Sequence, residues 1–269
     1  MRTRKLLWLL CWFISLKSST SIENIKPQKE GQYINCLIKN YALDLWDFTK
    51  GLFSSDTIIV AGIFIPTYFL SRLIDTRVHS HFYCSHHHHN ISECHTFDVF
   101  CGSDVIFGLL LTGLSLPAFI SHNECLRTTS RIFLETIPFL LLAKKLLKKM
   151  RVSESVRPFC QWYHKKKTFS GFPSGHLLTL VFTATLFGSQ LGPRWAIPFA
   201  LWSGITFIDF ISSNRHYVSQ MIAGAGFGLI FGLAASKVVD GYCVCKQNIE
   251  ITASPTAHGG ISCGISYSY

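Results

Sequence analysis

Phe172-Pro173-Ser174-Gly175-His176, followed by the uncharged apolar run from Leu177 to Leu191, marks a place where the chain passes from water to a nonpolar phase. Upstream of it lie Lys148, Lys149, Arg151, Arg157-Pro158 and Lys165-Lys166-Lys167. Pro173 suits the first turn of a helix, where its missing N–H is not needed, and Ser174 and Gly175 then leave backbone N–H groups aimed at an anion. His176, on the same turn, carries the one common side chain that gives or takes a proton near neutral pH. Pro-Ser-Gly alone is ordinary turn composition, so its meaning depends on what the rest of the chain brings to it.

The surroundings are those of a membrane protein. Charged residues make up 15% of the 269 positions, against about 25% in soluble proteins, and there are 22 phenylalanines. The formal charge of +10 does not indicate nucleic acid, because the bases cluster at the ends of apolar runs instead of lining a polar face interleaved with aromatics. Bases so placed serve as membrane anchors, contacts to anionic headgroups or phosphate ligands.

Residues 1–21 have the three parts of a secretory signal: Met1-Arg2-Thr3-Arg4-Lys5, the apolar Leu6 to Leu16, and Ser18-Ser19-Thr20-Ser21. An uncleaved anchor is the alternative, although the run is short for a span of about 20 residues. Residues 22–56 are polar, and Tyr33 to Phe53 alternates Leu43, Leu45, Trp46 and Phe48 with Asp44, Asp47 and Lys50, as an interfacial helix would. Six apolar segments follow: Ile58 to Ile74, Val99 to Ile120, Ile132 to Ala143, Leu177 to Leu191, Trp195 to Phe210 and Val218 to Val239. Pro66, Pro117, Pro138 and Pro198 interrupt them, which membrane helices tolerate where neighbours satisfy the freed carbonyls. Glu135 and the trailing Lys144, Lys145, Lys148 and Lys149 make the third segment the least apolar, with the lysines placed to snorkel.

The expectation is an all-α, integral multi-pass membrane bundle of about six helices over residues 57–240, in the cell or inner membrane, with a polar tail at 241–269. Gly224 and Gly228 have the small-xxx-small spacing that lets helix backbones approach, which places the last helix inside the bundle.

The loop from His79 to His95 holds His79, His81, Cys84, His86, His87, His88, His89, Cys94 and His95, a density that allows adventitious metal binding without any closed four-ligand spacing. A solvated polar loop is the simpler reading. Cys84 and Cys94 could close a disulfide on an oxidising side, and Asn90-Ile91-Ser92 fits a glycosylation acceptor only on a lumenal one. The ten cysteines form no tight framework.

With helices alternating in direction, the end of the third, the start of the fourth, the end of the fifth and the start of the sixth share one side. Arg157, Ser174, His176 and Ser212-Ser213-Asn214-Arg215-His216 therefore converge. Cations at a helix start oppose the macrodipole, so Arg215 and His216 need an anion there. Ser212, Ser213 or Asn214 would cap that helix. Two guanidinium groups, two helix N-termini and two imidazoles around one dianion are what phosphoryl transfer needs.

At these residues the chain resembles the type 2 phosphatidic-acid phosphatase family, which also includes undecaprenyl-diphosphate phosphatases, glucose-6-phosphatase and the vanadium haloperoxidases. Pro173-Ser174-Gly175-His176 reproduces the family's second motif, and Arg157-Pro158 the end of its first. His216-Tyr217-Val218-Ser219 with Ile222-Ala223-Gly224 is similar to its third. The resemblance implies that His216 is the nucleophile forming a phosphohistidine and that His176 is the acid protonating the leaving oxygen. It implies that Lys149, Arg157, Ser174, Gly175 and Arg215 hold the phosphoryl group and that Gln220 orients the nucleophile. The implied substrate is a phosphate or diphosphate on a lipid, with no metal or other cofactor. Three positions depart from the pattern: Met150 stands where the first motif has lysine, Phe210 where the third has arginine, and Gln220 where it ends in aspartate. A catalytically degenerate relative that binds phospholipid or serves as a membrane scaffold is the second reading.

Overall fold

The computed structural model describes residues 30–83, 104–149, 156, 158, 171–213, 215–242, 249–255 and 261–267. The signal-like segment 1–21, the loop residues 84–95, Met150, Arg157, Lys165 to Lys167 and Asn214 lie outside the described residues.

Among the described residues eight helices follow in order: α1 (Glu30–Gly51), α2 (Ser55–Tyr83), α3 (Asp104–Ser115), α4 (Pro117–Ile120), α5 (Glu124–Lys149), α6 (Gly175–Leu191), α7 (Pro193–Ser212) and α8 (Val218–Tyr242). The tail adds a two-stranded antiparallel hairpin, β1 (Ile249–Pro255) with β2 (Ile261–Tyr267), in the register Thr252 opposite Gly264. It lies beyond the helical bundle in sequence.

Among the described residues three helices are long and apolar enough to cross a membrane: α2 over Ser55–His81, α7 and α8. They differ in what they touch. Ile58, Ile59, Ile63, Phe69, Leu70 and Leu73 of α2 are exposed, as are Leu201 and Ile208 of α7. An apolar face of that extent fits lipid and not water. α8 is the inner helix, with more than half of its apolar stretch buried. The remaining apolar segments form the shorter stretch Ile106–Ile120, the 17-residue α6 and the charged, amphipathic α5.

The α6–α8 pair is the spine of the bundle. A Cβ at Gly224 would sit 2.7 Å from the Ser174 carbonyl oxygen, one at Gly228 would sit 2.6 Å from that of Leu178, and one at Gly232 would sit 2.5 Å from Thr185 Cβ. The small-residue spacing read from Gly224 and Gly228 thus runs one step further, and it seats α8 against the backbone of α6. Phe133, Phe182, Phe187, Leu186 and Ala234 fill the adjoining core completely out of solvent.

α1 covers the stretch whose alternation suggested an interfacial helix, but its faces are arranged differently. Phe48 and Asp44 are buried, whereas Leu43 and Trp46 are exposed. Asp44 turns inward because partners await it: it accepts a hydrogen bond from the Tyr242 hydroxyl and pairs with Arg131 at 3.6 Å. Arg131 also reaches Glu135 at 3.9 Å and lies over the Tyr242 ring. This ionic cluster clamps α1 to α5 and α8.

Candidate active site

The opposite end of α8, where it starts, gathers the chemistry. α6 begins there, α7 ends there, and α2 and α5 deliver their last turns to the same end.

Pro173 is not in the first turn of α6 as expected. The helix starts at Gly175, with Ser174 in extended backbone geometry at the N-cap and the Phe172–Pro173 peptide bond cis. Ser174 is held outside the helix because its N–H donates to the Gln220 carbonyl at 3.1 Å. That bond aligns the α6 turn with the first turn of α8. The Ser174 hydroxyl is fully buried, makes no capping bond and has no hydrogen-bond partner among the described residues. A buried hydroxyl without a partner costs about 1–3 kcal/mol, which a ligand accepting or donating a hydrogen bond there would offset. The first N–H groups of α6 have no acceptor within the helix.

Phe210 links the two histidines. Its ring stacks on His216, with centroids 5.4 Å apart and planes at 15°, and meets His176 edge-on at 5.5 Å. The Arg215 guanidinium lies over the same ring at 5.7 Å. Three of the site residues expected from sequence therefore surround one side chain, at the position where the family pattern has arginine. Phe107 closes the other side of His176 at 4.8 Å. Arg215 and His216 precede α8 instead of opening it: both their N–H groups donate to the Phe210 carbonyl, at 2.9 and 3.1 Å, which finishes α7. His216 is buried, at 3% exposure.

The start of α8 is capped from outside its own sequence. Ser212, Ser213 and Asn214 were the expected caps, and Ser212 instead bonds back to the Asp209 carbonyl. Asp75, on α2, takes the Ser219 N–H at 3.0 Å and the Ser219 hydroxyl as well. Tyr217 N–H is taken by Gln220 Oε1 at 3.3 Å. A carboxylate at this helix end satisfies the macrodipole locally. His79, one turn beyond Asp75, is buried against the Tyr217 ring at 5.2 Å.

Gln220 shows why a carboxamide stands where the family pattern has aspartate. Its Nε2 donates to the Val156 carbonyl at 2.8 Å, and its backbone carbonyl holds Ser174. Gly171 has no room for a side chain because a Cβ there would lie 2.5 Å from Gln220 Oε1. One residue thus fastens three segments: the strand of chain leading into Arg157-Pro158, the approach to Ser174, and α8 itself. An aspartate, which only accepts, could not hold the Val156 carbonyl.

Of the expected phosphate ligands, Ser174, Gly175 and Arg215 are at this end with both histidines, and Arg157 falls outside the described residues. Lys149 is exposed on the last turn of α5. Lys144, read from sequence only as a snorkelling residue, instead lies against Gly175. Asp75 was also missed, because it directly follows the apolar run ending at Ile74 and, between Arg72 and Arg77, reads as an ordinary flanking charge. Among the described residues no three histidine, cysteine or acidic side chains gather as a metal site.

Residues 133–241 match the family described as the PAP2 superfamily, and that stretch contains α6, α7, α8, both histidines and Gln220. The superfamily is generally one of phosphatases and hydrolases, and the matched stretch of this chain brings Pro173-Ser174-Gly175-His176 and His216 to one end of the bundle. No curated protein and no solved structure matches the chain.

Proposed function

We propose that this protein is a membrane phosphatase that releases phosphate from a lipid phosphate or diphosphate through a phosphohistidine. The observation that carries this reading is His176 and His216 on two sides of Phe210, beside the α6 N-terminus and the buried Ser174 hydroxyl, which has no partner among the described residues. A neutral His216 nitrogen attacks phosphorus, a P–N bond forms, and the bond to the lipid oxygen breaks as His176 gives that oxygen its proton. Water then attacks the phosphohistidine, His176 takes the water's proton, and inorganic phosphate leaves with His216 restored. Ser174, the α6 N–H groups, Arg157 and Arg215 stabilise the charge on the equatorial oxygens.

The bundle is read as six spans, with α3–α4, α5 and α6 completing α2, α7 and α8. Lipid-facing α2 and α7 favour a substrate whose acyl or prenyl chains stay in the membrane while its phosphate reaches the helix ends. A second reading, a phospholipid-binding protein without turnover, draws on Phe210, which puts an uncharged ring where a guanidinium would neutralise phosphate.

The test is release of phosphate from a panel of lipid phosphates and diphosphates in detergent, with His216→Ala and His176→Ala beside the parent. His216→Ala should abolish turnover, and His176→Ala should reduce it by about 10²–10⁴-fold, with the smallest loss on the substrate with the most acidic leaving group. Parent protein that binds phospholipid but releases nothing would establish the second reading.

A further inference from the structure

The Lys144 side chain crosses the backbone of Gly175. A Cβ at Gly175 would collide with the Lys144 amine and lie 3.0 and 3.1 Å from its Cδ and Cε, so the aliphatic stem rests on the glycine and the ammonium ends at the first turn of α6. Lys149 cannot share this place. It follows five residues later on α5, about 140° around the helix axis and about 7.5 Å along it. It is exposed, whereas Lys144 is half-buried.

Two further features belong to the same turn of α6. One is the set of α6 N–H groups with no acceptor inside the helix. The other is the Ser174 hydroxyl, fully buried and without a partner among the described residues. A cation, a hydroxyl and amide donors around one turn make a site for a tetrahedral oxyanion. A side chain at Gly175 would displace the amine from the turn. Packing of the stem on Gly175 restricts the lysine's rotamers beforehand, so less entropy is lost when an anion arrives.

We propose that Lys144 binds the phosphoryl oxygens of the substrate, supplying from about one and a half turns before the end of α5 the charge that the family pattern places seven residues before Arg157, where this chain has Met150. The assignment rests on the phosphatase reading for its part in turnover, whereas anion binding at Lys144 is measurable without turnover.

The full chain in detergent is reductively methylated with and without inorganic phosphate, and labelling is followed at each lysine by mass spectrometry. In parallel, lipid-phosphate hydrolysis is measured for Lys144→Met, Lys144→Arg and, as a neighbouring exposed control, Lys145→Met. Phosphate should slow methylation of Lys144 several-fold and leave Lys145 unchanged. Lys144→Met should lower kcat/KM by about 10- to 100-fold, the range for losing one hydrogen bond to a charged group, with Lys144→Arg recovering part of it. Phosphate protection at Lys149 without protection at Lys144, protection at neither, or an active parent whose kcat/KM is indifferent to Lys144→Met would each overturn the assignment. A parent that releases no phosphate while phosphate still shields Lys144 would sink the phosphatase reading and leave the anion site standing.

Discussion

Replacing Gln220 with aspartate restores the residue that the family pattern has at this position, and simple motif logic says activity should rise. The structure predicts the reverse. Gln220 is 1% exposed and spends its Nε2–H on the Val156 carbonyl at 2.8 Å. Aspartate has no donor and is one methylene shorter, so the carbonyl loses its partner and a carboxylate is buried beside it. An unsatisfied buried acceptor costs about 1–3 kcal/mol, and a charge facing the carbonyl adds to that. At about 2–4 °C per kcal/mol for a chain of this size, the thermal midpoint in detergent should fall by several degrees. Turnover should fall with it, because Val156 immediately precedes Arg157 and the approach to Ser174 depends on the same residue. Gln220→Glu separates the effects, since it keeps the length and exchanges only the donor for an acceptor. Both variants should lower kcat/KM on a lipid phosphate. A Gln220→Asp protein at least as active and as stable as the parent would refute the reasoning and show that a carboxylate beside His216 outweighs the tether.

Phe210→Leu should reduce kcat/KM more than Phe199→Leu, a buried phenylalanine in the core away from the imidazoles, although both lose similar volume; equal losses would mean the ring contributes packing alone. Gly228→Ala should destabilise the fold by a net of about 1–2 kcal/mol, as overpacking against the Leu178 carbonyl exceeds the gain of about 1 kcal/mol in helix propensity, whereas Gly204→Ala, with open space around it, should stabilise; thermal scans giving the same sign for both would disprove the close α6–α8 approach. Arg131→Met should cost about 3–5 kcal/mol because Asp44 and Glu135 remain buried without their cation, seen as a large loss of folded protein in detergent; near-parental stability would show that the cluster is solvated.

Much of the bundle was legible because apolar length and small-residue spacing report directly on helices and their close approach. The run from Leu177 to Leu191 became α6, and Gly224 with Gly228 placed α8 inside. The site was legible as a convergence: once helix directions alternate, His176 and His216 must share an end. What sequence could not reach were contacts decided by the third dimension. Lys144 and Lys149 belong to one basic run, and only the phase of α5 against Gly175 distinguishes them. Gln220 looks like a weakened aspartate until the Val156 carbonyl is seen. Pro173 suits a helix start on propensity, but the Ser174 bond to Gln220 delays that start by two residues. Asp44 reads as the polar face of an interfacial helix because its partners, Arg131 and Tyr242, are distant in sequence.

The carboxylate that Asp75 lends to Ser219 carries a practical lesson about boundaries. The portion of the chain that can be recognised by kinship opens at residue 133, yet the start of its most deeply embedded helix is finished by a residue 58 positions earlier. Excision at the recognisable edges would strip α8 of this clasp and part Glu135 from Arg131. The unit that inheritance makes visible is therefore smaller than the unit that must fold.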